Sequence, residues 1–499
     1  ASPVWAWARA AIKSSRSAIS LTKTNAMQYV STRGGMQPSN FSDVLLEGLA
    51  PDGGLVVPET IPTVDQDTIE SWRELTYAEL ATEVIGLYWT DIPREDLAEL
   101  CKAAYGKQFN ADDIVPLTPI DQMTALVDLS QGPTLAFKDM AMQFLGEALP
   151  YVLKQRDQTL NILGATSGDT GSAAEYAFRS KPNIGVFMLS PKGRMSKFQR
   201  AQMYTLTDEN VHNIVIDGVF DDAQNLVKEL NGDLEFKAAH SLGTVNSINL
   251  GRLIAQCVYY FWAWLRVTTG IPAEQRADFE VSFAVPSGNF GNIFSGQLAR
   301  QMGLPIDTLA LATNENNVLD EFFRSGKYEP RSAANTLATS SPSMDISKAS
   351  NLERFVYLVL DQDPERLAEI WRQLDATGTL DLSEDQPRFL EEFGMVSGTS
   401  THEDRVASIR AVYEKSKVVI DPHTADGVTV ARGYQKPNQP MLVLETAKPE
   451  KFGDIVKEAL GFEPELLPEY AELLELEQHT VEMGVDATAL REYITLHHV

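Results

Sequence analysis

Gly132-Pro133-Thr134-Leu135-Ala136-Phe137-Lys138-Asp139 sets a lysine between a turn signal and the start of an apolar helix. Gly132-Pro133 punctuates the chain, and Met140-Ala141-Met142-Gln143-Phe144-Leu145 continues as helical sequence. A lysine at the head of a buried helix must neutralise, pair or react, because an isolated ammonium is costly to desolvate. A neutral amine attacks carbonyl carbon and forms Schiff bases. A surface lysine at a helix start is the competing reading, and Lys138 alone does not separate the two.

Two glycine turns do. Residues 159–176 run from an apolar strand through Thr166-Ser167-Gly168-Asp169-Thr170-Gly171 into a small-residue helix start. Residues 279–299 repeat that grammar around Pro286-Ser287-Gly288-Asn289-Phe290-Gly291-Asn292. Each turn aims free backbone N–H groups at an anion, and the helix dipole adds to the attraction. A cofactor phosphate, a substrate carboxylate and an aldehyde on the lysine meet the demands of two such turns beside Lys138.

The strings Gly132–Asp139, Gly164–Gly171 and Pro286–Asn292 resemble those of threonine synthases, in their longer bacterial and fungal type. So do Tyr29-Val30-Ser31-Thr32-Arg33, Leu49-Ala50-Pro51-Asp52-Gly53-Gly54-Leu55 and Asp421-Pro422-His423-Thr424. The resemblance runs from about Met27 into the C-terminal region. It implies an α/β enzyme of the tryptophan-synthase-like fold: mainly parallel sheets, helices on both faces and an N-terminal helical lobe. It implies pyridoxal 5'-phosphate as cofactor and O-phosphohomoserine as substrate, converted with water to L-threonine and phosphate. Lys138 is then the Schiff-base lysine and the base for more than one proton transfer. Gly288, Asn289, Phe290, Gly291 and Asn292 hold the cofactor phosphate, and Thr166, Ser167, Gly168, Asp169 and Thr170 grip the substrate carboxylate. Asp169 stands where some relatives of the fold carry Asn, although an acid there is usual for the long type. Thr446, in Leu444-Glu445-Thr446-Ala447-Lys448-Pro449, matches the segment that meets the pyridine nitrogen. Glu445 competes for that role, but adjacent strand residues face opposite sides.

The composition narrows the partners. Lysine and arginine number 42 against 69 acids, a net charge of −27. Such a surface repels nucleic acid and anionic membranes, so neither is expected as a partner. Any phosphate site must then be a local island of positive potential. The acid-free stretch 191–202, with Lys192, Arg194 and Lys197, is one candidate island, and a solvated helix face is its other reading. Arg252 and Arg354 join it as candidate ligands of the substrate phosphate. The 2 cysteines, Cys101 and Cys257, allow no disulfide framework and no zinc spacing, which fits a reducing cytoplasm. The apolar run Leu253–Leu265 contains Gln256 and is too short to span a bilayer, so it reads as a buried helix. No metal site is expected, and the chain is expected to act as a monomer or weak homodimer.

Taken in order, residues 1–26 hold Arg9, Lys13, Arg16 and Lys23 but no acid, and read as an extension outside the fold. Residues 27–124 form the N-terminal lobe, with helical periodicity over Phe41–Leu49 and Ile69–Leu87. Residues 125–311 alternate strands with helices and carry the core. Its expected strands are Ala125–Leu129, Leu160–Gly164, Gly185–Leu189, Asn213–Asp217 and Val281–Val285. Residues 312–499 complete the core. Val356–Asp404 reads as a helical insertion without direct chemistry, Val418–Ile420 and Met441–Leu444 as returning strands, and 463–478 as an acidic helix.

Two other functions fit parts of this pattern. A threonine or serine dehydratase on the same fold needs no second phosphate site. A non-catalytic synthase-like protein that binds the cofactor has no need of Lys138.

Overall fold

The expected strands pair into two sheets, described in a computed structural model that covers residues 26–193 and 195–499. The expectations for residues 1–25 and for Arg194 lie outside the described residues. The larger sheet has six strands in the order Met395–Thr399, Ile306–Thr313, Val281–Pro286, Met441–Glu445, Thr124–Asp128 and Leu117–Pro119. All are parallel except the last. Val281–Pro286, Met441–Glu445 and Thr124–Asp128 are buried at every position, which is why they read as mostly apolar runs rather than alternating ones. The second sheet orders Val481–Met483, Val211–Ile216, Ile184–Pro191, Leu160–Ala165 and Leu242–Gly243, all parallel.

Helix Lys138–Arg156 leaves the larger sheet after Thr124–Asp128 and leads into Leu160–Ala165 of the other. Helix Leu250–Val267 packs against it and against Gly291–Gln301 and Tyr77–Gly86, with nearly every residue buried. No helix among the described residues is long and apolar enough to cross a membrane.

Four expectations are corrected. Ile69–Leu87 is two helices, Gln66–Ser71 and Tyr77–Gly86, because Thr76 and Glu79 form a capping box that starts the second afresh. Val418–Ile420 is not a strand: Met441–Glu445 already has a partner on each side, and the segment leads instead into helix Pro422–Tyr434. The acidic stretch 463–478 forms only the short helix Pro468–Leu473. Within Val356–Asp404, Met395–Thr399 is the edge strand of the larger sheet, so that part of the segment belongs to the core.

Under the second sheet, helix Asp169–Phe178 buries Glu175 with neither carboxyl oxygen partnered among the described residues. Burial raises this carboxyl well above its ordinary range, against a smaller opposing pull from Asn213. A neutral Glu175 can donate to Asn213 Oδ1, which also lacks a partner. The sign of the pH dependence follows. Above about pH 4.3 the unfolded chain releases a proton that the folded one keeps, so stability falls as pH rises until the folded group ionises too. Glu175→Gln keeps the shape and removes this loss. Its Tm is expected to exceed that of the parent by about 2–3 °C at pH 8 and to match it near pH 4. Calorimetry that finds equal destabilisation at both pH values refutes a neutral Glu175.

Candidate active site

The lysine loop is closed by its own motif. Asp139 folds back over Thr134, accepting from its N–H at 2.9 Å and its Oγ1 at 2.7 Å. A Cβ on Gly132 would lie 2.5 Å from Asp139 Cβ, so the motif opens with the one residue that lets this approach happen. Leu135 takes φ +58°, a left-handed conformation that costs a non-glycine residue about 1–2 kcal/mol. Two backbone bonds offset it: Phe137 N–H to Thr446 O at 2.8 Å and Lys448 N–H to Leu135 O at 3.0 Å. Lys138 therefore starts its helix from a braced loop. Burial lowers its ammonium, Asp169 pulls the other way, and Arg252 and Lys451 lower it further, leaving it at about 8.

Both glycine turns follow strands at the ends where parallel sheets bind ligands. In the first, Thr166 Oγ1 accepts from the N–H groups of Gly168 and Gly171, each at 2.9 Å. Gly168 has φ +137°, and a Cβ there would meet the Gln199 amide at 2.5 Å. The N–H groups of Ser167, Asp169 and Thr170 have no partner among the described residues. In the second, the N–H groups from Gly288 to Ile293 are likewise unpartnered. The buried Nδ2 of Asn292 is unpartnered too, while its Oδ1 accepts from the Tyr259 hydroxyl. Behind this turn, Asn351 N–H donates to Asn289 O at 3.0 Å and Ser350 Oγ to Asn289 Oδ1 at 3.2 Å. Such a set of unpartnered donors suits a bound anion.

Asp169 ties the cleft together in a way the sequence did not reveal. Its Oδ1 pairs with Lys451 Nζ at 2.6 Å and its Oδ2 accepts from Ser343 Oγ at 2.8 Å. Burial raises this carboxyl, but Lys451, Lys138 and the hydrogen bond from Ser343 together hold it well below the usual carboxylate range. Ser343 N–H donates to His423 Nε2 at 3.0 Å, and His423 Nδ1 lies 2.6 Å from Asp421 Oδ2. A backbone N–H only donates, so Nε2 is bare and the ring proton sits on Nδ1, facing Asp421. His423 was quoted above within a motif but given no role. Lys451 has no local signal, since its partner lies far along the chain.

The basic candidates separate. Arg252 is buried on helix Leu250–Val267, its charge acts on Lys138, and its Nε has no partner among the described residues. Arg354 is corrected to a brace: Nε donates to Val56 O at 3.0 Å, Nη2 to Ile248 O at 2.7 Å and Nη1 to Asn351 Oδ1. It therefore supports the Asn289 turn from behind. Lys192 is exposed and pairs with Glu482 at 2.8 Å, and Lys197 is exposed at the start of helix Lys197–Tyr204. For these two the solvated reading describes their surroundings.

Thr446 follows strand Met441–Glu445, and its hydroxyl makes no hydrogen bond among the described residues. Glu445 is engaged elsewhere, 3.6 Å from Lys448 Nζ, which itself lies 2.6 Å from Asp128. Burial and Asp128 push the Glu445 carboxyl up to about 8 against the pull of Lys448.

Comparison with known proteins agrees with this geometry. Residues 28–105 match the family described as threonine synthase N terminus, 116–374 the pyridoxal-phosphate dependent enzymes, and 424–494 the family described as threonine synthase, C-terminal. The threonine synthase of Corynebacterium glutamicum is 51% identical over 477 residues, covering 94% of this chain and 98% of its own. That of Methylobacillus glycogenes is 49% identical over 481 residues, covering 94% and 100%. The crystal structure of pyridoxal-phosphate-bound threonine synthase from Brucella melitensis superposes with a TM-score of 0.90 at 42% identity, covering 95% of this chain and 99% of that one. Matched by these families over most of its length and by threonine synthases at about half identity, the chain belongs to the threonine synthases, pyridoxal-phosphate-dependent lyases.

Proposed function

We propose that Lys138 is the residue that carries pyridoxal phosphate and moves protons while O-phosphohomoserine and water become L-threonine and phosphate. The observation that carries this reading is a fully buried amine that faces Asp169 of the first glycine turn, in a fold whose two glycine turns each carry N–H groups without a partner among the described residues. When bound, the cofactor supplies the electron sink that makes the substrate's Cα and then Cβ protons acidic. Lys138 Nζ takes and returns those protons, and with its ammonium at about 8 it is competent in both directions near neutral pH. The amides of Gly288 to Ile293, with Asn292 Nδ2, bind the cofactor phosphate. Those of Ser167, Asp169 and Thr170 bind the substrate carboxylate, and Arg252 binds the substrate phosphate. We place the reaction in the cytoplasm, where Cys101 and Cys257, both buried and free, stay reduced.

The test is phosphate release. Purified protein given O-phosphohomoserine is expected to yield threonine and inorganic phosphate in equal amounts, with no keto acid from added threonine. Keto acid from threonine without phosphate release from O-phosphohomoserine replaces this reading with a dehydratase.

Thr446 offers a neutral hydroxyl to the ring nitrogen, so charge there stays low and more electron density remains near the substrate carbons. That suits a second deprotonation at Cβ. Thr446→Val removes one neutral hydrogen bond worth about 1 kcal/mol and is expected to lower kcat about fivefold with KM little changed. A cofactor-bound crystal structure with Glu445 on the ring nitrogen and Thr446 turned away overturns the assignment.

A further inference from the structure

The turn that must receive a carboxylate contains one. Asp169 is buried among the free amides of Ser167, Asp169 and Thr170. An unneutralised carboxylate there would repel the substrate that those amides attract. The compensating charge comes from the far end of the chain. Lys451, its side chain fully buried, reaches Asp169 Oδ1 at 2.6 Å and Thr134 O at 3.0 Å. Thr134 belongs to the lysine loop, and its carbonyl also accepts from Gln202 Nε2 at 3.0 Å. One ammonium thus joins the carboxylate turn to the loop that presents Lys138.

We propose that Lys451 is a positioning residue of this enzyme: paired with Asp169, it makes the 166–171 turn receptive to the substrate carboxylate and balances charge around Lys138. The proposal rests on the reading in which Lys138 carries the cofactor. The charged groups facing Lys138 are Asp169 from helix Asp169–Phe178, Arg252 from helix Leu250–Val267 and Lys451 from the turn Pro449–Phe452. Asp169 faces Lys451 and Lys138, with Ser343 and Gln199 as neutral donors, and Asp139 lies within the field of Lys451. Removing Lys451 leaves Asp169 to Lys138, which then holds its proton more tightly. Removing the Asp169 charge does the opposite, and removing both cancels.

The experiment uses the cofactor-loaded protein as parent, Lys451→Met, Asp169→Asn and the double variant. The readouts are the pH titration of the bound cofactor's visible absorbance and the acid limb of kcat/KM. Lys451→Met is expected to move both midpoints up by about one pH unit, Asp169→Asn down by about one, and the double variant back to within about 0.3 of the parent. The KM for O-phosphohomoserine is expected to rise about tenfold in Lys451→Met and to recover in the double variant. If Lys451→Met does not load cofactor, Lys451→Arg, which keeps the charge, must load it; failure of both overturns the proposal. Midpoints that stay put, or that move the same way in both single variants, also overturn it. Lys138→Ala keeps the two readings apart: retention of the visible band in that variant overturns the assignment of Lys138 itself.

Discussion

Lys138→Ala is expected to abolish the visible absorbance of the bound cofactor and to lower kcat by roughly a thousandfold or more, the range of a lost acid–base group that is also the point of attachment. No neighbour can take over. Lys451 is held by Asp169 and Thr134, and Arg252 stays protonated although burial pulls it down to about 10. Alanine suits the first position of helix Lys138–Arg156, and the loop ahead of it remains closed by Thr134 and Asp139. The variant should therefore fold. Spectra and single-turnover assays of the folded variant check the prediction, and a protein that kept both band and turnover would falsify it.

Arg252→Ala is expected to lower kcat/KM for O-phosphohomoserine about ten- to a hundredfold, the effect of losing one charge-assisted hydrogen bond of roughly 1.5–3 kcal/mol. Its Nη1 is held by Val245 O at 3.1 Å, which leaves an unpartnered Nε on a buried cation beside Lys138. Inhibition by inorganic phosphate should weaken in parallel, whereas a change that merely loosened helix packing would leave it in place. Lys192→Ala, by contrast, breaks only a surface pair with Glu482 and is expected to stay within about twofold of the parent. Unchanged phosphate inhibition in Arg252→Ala removes it from the phosphate site.

Much of this was legible because the information was local. The buried parallel strands announce themselves as short apolar runs: Val281–Val285 was expected and Val281–Pro286 is observed. The lysine loop and both glycine turns are written in consecutive residues whose glycines answer to nearby contacts. What stayed hidden depends on distance along the chain. Lys451 is one lysine among many until the fold sets it against Asp169. Arg354 looked like an anion ligand because sequence shows its charge but not the carbonyls of Val56 and Ile248 that use it. Val418–Ile420 has strand composition, but the positions beside Met441–Glu445 are already filled. The helix break before Thr76 was readable in principle, since Thr76 and Glu79 have capping-box spacing, and the apolar periodicity through it masked the signal.

The insertion of Met441–Glu445 between Val281–Pro286 and Thr124–Asp128 has a consequence for the birth of the molecule. Thr134 and Lys451 are 317 positions apart. At a ribosome adding about 5–20 residues per second, the lysine loop waits roughly 15–60 s for the strand and the ammonium that complete it. Once Val281–Pro286 has been made, it and Thr124–Asp128 each present an apolar edge with no partner until Met441–Glu445 follows, the form in which chains aggregate or engage chaperones. A nascent chain halted before Met441 already contains Lys138 and both glycine turns, yet it lacks the middle strand of the larger sheet and the residues Thr446 and Lys448 that brace the lysine loop. Cofactor capture is therefore among the last events of synthesis, and the visible band reports a finished chain.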